Sequence, residues 1–364
     1  MSKLEECILG DLVEFQRGYD LPKSKFVEGK YPVQSSNGIL GYHNEYKVEG
    51  PGITIGRSGT VGNPHLIREN FFPHNTSLFV KEFKGNDIEY IYYLLQYLDL
   101  GNQKSGSGVP TMNRNHLHPI KIRAYRDKTC QQRTIKILSL IDKKIQTNNQ
   151  INQELEAMAK TLYDYWFVQF DFPNQKGKPY KSSGGKMVYD PELKREIPEG
   201  WGVEKLGDIA NITMGQSPKG TSYNEVGEGM LFFQGSTDFG WRFPVARQYT
   251  TEPSRIAEED DILLSVRAPV GTLNIADTRC CIGRGLAAIN SKVGVNSYIF
   301  NVMQDFKKLF DMRNSVGTTF GSITKDDLYS LQLVYPPNEL LMKFDQSVKS
   351  FDREIKNRSR QNQG

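Results

Sequence analysis

The sequence predicts an α+β protein built twice: two homologous globular halves, each followed by a long helix. Three observations predict it. ILGDLVEFQRG (8–18) returns as KLGDIANITMG (205–215), with a glycine seven residues after the Asp in both copies. Further pairs follow in the same order, and their offset drifts only from 197 to about 211. Each half is followed by a stretch with no internal Gly or Pro and a narrow apolar stripe.

The pairs run along the whole of both halves. Pro22-Lys23 answers to Pro218-Lys219, and YPVQSS (31–36) to LFFQGS (231–236). GITIGRSGTVG (52–62) and DILLSVRAPVG (261–271) each read apolar run, Arg, turn, Val-Gly. YIYYLLQ (90–96) matches YIFNVMQ (298–304), and GSGVPTMNRNHLHPIKI (106–122) lies over GTTFGSITKDDLYSLQL (317–333). Within each half, IGRSGTV and DILLSV are β-like, rich in branched residues and bounded by Gly or Asp. Segments 87–100 and 295–312 carry apolar residues three and four apart and read as helices.

The predicted organisation is a first globe over 1–130, a helix over 131–169, an ordered strap over 170–200, a second globe over 201–337 and a second helix over 338–364. The first stripe is Leu138, Ile141, Ile145, Ile151, Leu155, Met158 and Leu162. As one helix it is about 58 Å long, and so narrow a stripe needs a partner helix. Phe344, Val348, Phe351 and Ile355 supply a matching stripe near the C-terminus, where SFDREI (350–355) echoes LIDKKI (140–145). The strap is rich in Pro, Gly and Ser, which excludes regular structure for most of it. Its Phe170, Phe172, Tyr180 and Tyr189 make it too apolar for a free linker.

Composition narrows the function classes. Apolar residues at 38% and aromatics at 11% of 364 residues exclude a disordered chain. There is no 18-residue apolar run and no signal-peptide pattern, so a cytoplasmic protein without membrane contact is expected. The four cysteines, Cys7, Cys130, Cys280 and Cys281, show no metal or disulfide spacing, and reduced thiols are expected. Net charge is +4 overall, about +2 over 1–130 and about −2 over 201–337. A nucleic-acid surface would therefore have to be local.

Signatures of catalysis are weak. No Walker loop occurs, and no Asn/Asp-Pro-Pro-aromatic loop of the kind amino-methyltransferases use. Asp190-Pro191-Glu192-Leu193-Lys194 superficially resembles a nuclease D…E-x-K, but carboxylates two residues apart in a strap do not converge on one ion. His116 and His118 form an H-x-H whose counterpart is Asp327 and Tyr329, so a zinc site there would exist in one copy alone. No catalytic residue and no metal site is expected.

Recognition chemistry is better represented. Gln34, Ser35, Ser36 and Asn37 follow a strand, as do Gln234 and Ser236; amide side chains suit adenine and Arg suits guanine. Arg57 and Arg267 occupy corresponding turns. Lys104, Arg114 and Lys325 accompany hydroxyl-rich loops that suit phosphates, and Lys219 and Arg284 complete the candidate DNA contacts.

The arrangement resembles the specificity (S) subunit of Type I restriction–modification systems along essentially the whole chain. The resemblance rests on LGD-[LI] opening each half, GQSPKG (215–220) with its weaker copy GYDLPK (18–23), and the G-[ST]…L…L…[IL] pattern ending each half. Its most specific part is YDYWFVQFDFP (163–173) through KPYKSSGGKMVYDPELKREIPEGW (178–201). The resemblance implies two target-recognition domains separated by two long antiparallel helices, a coiled-coil spacer with a pseudo-twofold repeat. It implies a non-catalytic chain reading a bipartite, asymmetric site on double-stranded DNA. It also implies two methyltransferase subunits, which use S-adenosylmethionine, and restriction/translocase subunits, which use ATP and Mg, with no cofactor on this chain. Lys143, Lys144, Tyr163, Trp166, Arg353 and Lys356 are the candidate partner contacts on the helices. The second helix, about 27 residues against about 39, departs from the longer terminal helix common in the family. Two other readings stand beside this one: a coiled-coil scaffold that binds no DNA, and a stand-alone restriction enzyme fragment centred on Asp190–Lys194.

Overall fold

The computed structural model describes residues 3–102, 112–315 and 322–363. The chain forms two compact units, Met1–Ile145 and Gln146–Gly364. The division falls inside the first long helix, rather than at 130/131 where composition changes.

In the first unit, strands Glu14–Arg17, Ser77–Glu82, Gly52–Gly56 and Pro64–Ile67 make an antiparallel sheet in that spatial order. A smaller sheet joins Gly38–His43, Tyr31–Ser35 and Phe72–Pro73, the last pairing parallel. The second unit repeats the larger sheet with Ala210–Met214, Leu286–Ser291, Ile262–Ser265 and Leu273–Ile275. Its second sheet has five short strands, with Met230–Phe233 parallel to Cys280–Ile282. Cys280 and Cys281 are both buried there, and burial pushes the Cys280 thiol up to about 12, so it stays protonated at neutral pH.

The repeated Leu-Gly-Asp is a single helical turn, Leu9–Leu12 in one unit and Leu206–Ile209 in the other. The N–H of Leu9 donates to Ile120 O at 2.9 Å and that of Leu206 to Leu331 O at 2.8 Å. A short ribbon precedes each turn, Glu5–Ile8 with Lys121–Ala124 and Gly202–Lys205 with Gln332–Tyr335, so each copy clips the start of its globe to its end. A Cβ on Gly10 would press on His118 at 3.0 Å, and one on Gly207 would lie 2.4 Å from the Tyr329 ring, so the turn favours glycine. Lys84 and Lys292 each donate to the carbonyl of this glycine. Asp11 accepts the N–H of Ile8 at 3.1 Å.

The glycine seven residues further on has its own reason. Gly18 N–H donates to Ser77 O, and Gly215 N–H to Leu286 O. A Cβ at these positions would lie 2.2 Å from His74 O and 2.1 Å from Gly283 O, both rigid backbone atoms. Gly18→Ala and Gly215→Ala should each cost about 1–3 kcal/mol, as forced overpacking does. Urea unfolding of the two variants checks this.

His118 takes part in this clip. Its Nε2 accepts the Phe15 N–H at 3.0 Å, and the ring stacks on Phe15. Burial lowers its pKa, assisted by Lys84 and Arg114; burial lowers His74 likewise. A depressed histidine pKa stabilises the fold above the unfolded value of about 6.5, and that stability is lost as pH falls through the lower folded values. All five histidines lie in the first unit. Hydrogen exchange should therefore show a histidine-linked loss of stability below about pH 6.5 in the first unit, absent from the second.

The first long helix runs Lys128–Tyr163 and continues as a wider turn, Asp164–Val168; the second runs Asn338–Gln363. Ile135 packs into the core of the first unit. In the second unit, Asn148 Nδ2 donates to Asn362 Oδ1 at 2.9 Å, and Asn152 Nδ2 to Ser359 Oγ at 3.3 Å. Further along, the Tyr163 and Trp166 rings meet Phe344. Numbers rise on one helix as they fall on the other, so the contacts are antiparallel. Phe344 is fully buried and its ring lies 5.0 Å from that of Phe167. Phe344→Ala should destabilise the second unit by about 3–5 kcal/mol, read by thermal unfolding.

The strap is more regular than its composition predicts. Met187–Asp190 and Arg195–Pro198 pair as a hairpin. Asp190 Oδ1 accepts the N–H groups of Glu192 and Leu193 at 3.0 and 2.8 Å, so the D-P-E-L-K segment is a turn held by its own aspartate.

Candidate nucleic-acid interface

In the first unit a cavity of about 590 Å³ opens where the strand Glu14–Arg17 ends, lined by Gln16, Arg17, Tyr19, Arg57, Asn113 and Arg114 among others. The turn carrying Arg57 is fixed by three backbone bonds: its N–H and that of Ser58 donate to Thr76 O, and its carbonyl accepts the Met112 N–H at 2.8 Å. Arg57 is half-buried, while Arg17 and Arg114 are exposed. Arg17 lies 3.5 Å from Asp20 with both side chains exposed, a pair worth little in water. Three guanidinium groups against one carboxylate leave this corner locally positive in a unit of small net charge. Arg114 came from the loop pattern; Gln16, Arg17 and Tyr19 did not, although their place just before and after Gly18 was a usable signal.

The corresponding corner of the second unit is built around Ser217. Its Oγ bonds Gln234, Nε2 donating at 3.0 Å, and also accepts the Arg284 N–H at 3.3 Å. Gln234, Arg267, Arg284 and Lys219 are exposed, and Ser236 is half-buried. Arg267 bridges to Ser322 as Arg57 does to Met112, by the return of the chain near the end of the globe. Lys219 pairs loosely with Glu252 at 3.7 Å. Lys325 is exposed over the Tyr329 ring.

Other predicted contacts are placed differently. Gln34, Ser35 and Ser36 are each at most 5% exposed. The Gln34 amide donates to Ser35 O, Ser35 Oγ donates to Gly38 O, and Ser35 Oγ accepts the Asn37 N–H. They hold the turn into the strand Gly38–His43, and their bonds are made internally. Asn37 alone of that run is exposed. Lys104 lies outside the described residues. On the helices, Tyr163 and Trp166 are buried in the core of the second unit. Lys356 is bound to Glu259 and Asp260, each at 2.7 Å. Lys143, Lys144 and Arg353 are exposed.

Sequence reasoning missed Arg242. Its side chain is 6% exposed and bridges Glu156 of the first long helix at 3.1 Å and Asp352 of the second at 2.5 Å, over the Phe300 ring. Burial pushes the Asp352 carboxyl up, and the Arg242 guanidinium opposes it.

Among the described residues no group of three or more His, Cys, Asp or Glu side chains is placed to hold a metal ion. No described helix is long and apolar enough to cross a membrane.

Comparison with known proteins gives a consistent picture. The family model for the Type I restriction modification DNA specificity domain matches residues 1–157 and again 198–363. A putative type I restriction enzyme MjaX specificity subunit of Methanocaldococcus jannaschii is 34% identical over 78% of this chain and 66% of its own length. The MjaIX specificity subunit of the same organism is 29% identical over 45% of this chain and 35% of its own. This chain thus spans just under two thirds of the first relative and about a third of the second. The crystal structure of a Type-I restriction–modification system S subunit from M. genitalium aligns with 100% of this chain and 94% of that one, with a TM-score of 0.59 at 14% identity, and shares its fold.

Proposed function

The chain belongs to the Type I restriction–modification DNA specificity family, and from that premise we propose that it reads a bipartite, asymmetric site on double-stranded DNA, one half-site per globular unit. The carrying observation is that the duplicated sheet ends at equivalent corners, each bearing exposed cationic and amide side chains. In the first unit the readers are Asn37, Arg57 and Arg114, joined by Gln16, Arg17 and Asn113. In the second they are Gln234, Ser236, Arg267 and Arg284, with Lys219 and Lys325 on phosphates. Arg paired with guanine and amides paired with adenine supply the discrimination. The two corners carry different side chains, so the half-sites differ.

The two long helices act as a coiled-coil spacer that sets the distance between half-sites. The chain has no catalysis of its own. It works in the cytoplasm, holding two methyltransferase subunits, which carry S-adenosylmethionine, and restriction/translocase subunits, which use ATP and Mg. On the first long helix Ile137, Leu138, Leu140 and Ile141 are 40–67% exposed, an apolar stripe suited to helices of a partner, flanked by Lys143 and Lys144. Arg353 offers a second exposed contact.

The test mixes this chain with its methyltransferase subunit and measures binding to a randomised duplex pool. Selection of a two-part motif with a fixed nonspecific gap is expected. Equal affinity for all sequences would contradict the proposal and favour a scaffold.

A further inference from the structure

The strap, which no part of the DNA reading uses, encloses a groove of about 910 Å³ against the start of the second long helix. One wall is an aromatic stack: the Phe172 ring lies 4.6 Å from Tyr180 at 16° and 5.1 Å from Trp201 at 28°. The strap is held in shape by its own bonds. Asn174 Oδ1 accepts the N–H groups of Lys176 and Lys178 at 2.9 and 3.1 Å. Asp171 accepts both the N–H and the hydroxyl of Ser182. The groove is therefore a built feature.

Its rim is cationic. Lys176 and Lys178 stand on the strap turn and Lys343 on the helix, with Glu339 as the carboxylate among the lining residues. All three lysines are exposed. None is ion-paired among the described residues, whereas nearby Lys186 is bound to Glu199. Three exposed ammonium groups around one groove, against the single carboxylate of Glu339, favour an anionic occupant at low salt.

The ring arrangement selects the kind of anion. Phe172 stacks with both Tyr180 and Trp201, Trp201 is also met edge-on by Phe170, and Gly185 lies close to the Tyr180 ring. Rings already packed on one another are poor platforms for a nucleobase, which stacks on a free face. An extended peptide needs no such face: its carboxylates reach the lysines and its apolar side chains lie along the ring edges.

We infer that this groove receives an extended acidic segment of the methyltransferase subunit, a docking point separate from the apolar stripe on the first long helix. The inference rests on the proposed function for the identity of the partner.

The test uses the full chain co-purified with its methyltransferase subunit and a zero-length carbodiimide, which joins lysine amines to carboxylates. Cross-links from Lys176, Lys178 and Lys343 to one short acidic segment of that subunit are expected. Lys176→Glu, Lys178→Glu and Lys343→Glu together should abolish them and weaken assembly at least tenfold, with half-site selection unchanged. The triple Lys→Gln variant, which removes charge at similar size, should weaken assembly less; it serves as the readout if the Glu variant does not fold. Cross-links confined to Glu339 and other groups of this chain would overturn the inference, as would unchanged assembly in a folded variant. So would loss of affinity for a nonspecific duplex with assembly intact, which would assign the groove to DNA phosphates. Failure of the unmodified chain to assemble at all would remove the proposed function first, and the inference with it.

Discussion

Arg242→Ala is expected to destabilise the second unit by up to about 3–5 kcal/mol, the cost of removing one partner from a fully buried ion pair, reduced because Glu156 and Asp352 are 29% and 37% exposed. The side chain is 6% exposed and joins three elements at once: Glu156, Asp352 and the Phe300 ring. Its own carbonyl accepts the Ile275 N–H at the edge of the larger sheet. Removing the guanidinium leaves two carboxylates facing each other, one of them already disfavoured as an anion by burial. Lys356 and Arg360 reinforce the same attachment through Glu259, Asp260 and Asp277, but these pairs are more exposed and contribute less. Adding Glu156→Gln and Asp352→Asn to an Arg242→Met variant should restore much of the loss, because the uncompensated charges are then gone. Hydrogen exchange along both long helices measures this; a change below about 1 kcal/mol, the scale of an exposed surface pair, would show the bridge to be incidental.

The second large effect is on DNA. Arg17→Ala, Arg57→Ala and Arg114→Ala combined should lower affinity for the cognate site at least ~100-fold, since each base contact of this kind is worth about 1–3 kcal/mol. Each arginine that instead meets a phosphate should reduce the salt slope by about one. Arg17 and Arg114 are exposed, and Arg57 is fixed mainly through its backbone, so thermal stability should change little. The loss should be confined to the half-site read by the first unit. Equal loss against duplexes altered in either half-site would contradict the assignment of one half-site to each unit.

The duplicated plan was legible because it is written in residues with strong backbone consequences. Gly207, Gly18 and Gly215 sit where another part of the chain leaves no room for a Cβ, and a Cβ on Gly10 would press on His118, so glycine marks these positions in both copies. The helices were legible from their stripes, but the facing residues were only partly so. The first stripe steps by six from Ile145 to Ile151. The true seam fills that gap with Asn148 and goes on through Asn152; they are 0% and 1% exposed and bond across to the second helix. A polar residue in a seam breaks the apolar pattern while fixing register, so pattern reading skips it.

The candidate site was less legible. Gln34 lies near the end of the strand Tyr31–Ser35 and Gln234 just past the matching strand Met230–Phe233, yet the first is buried and the second exposed. The cause lies just beyond them: the first unit turns back into the strand Gly38–His43, whereas the second passes through the short helical turn Ser236–Asp238. Matching motifs thus conceal different surroundings. Arg242 was illegible for a related reason, since its partners stand 86 and 110 positions away and no local pattern marks them.

The most direct test of the account is methylome sequencing of a host that expresses this chain with its methyltransferase subunit, first unmodified and then with the three arginine changes. The account predicts modified adenines in a two-part motif with a fixed gap, and relaxation or loss of one half of that motif in the variant. Methylation without a two-part motif, or a motif that the variant leaves unchanged in both halves, would contradict it.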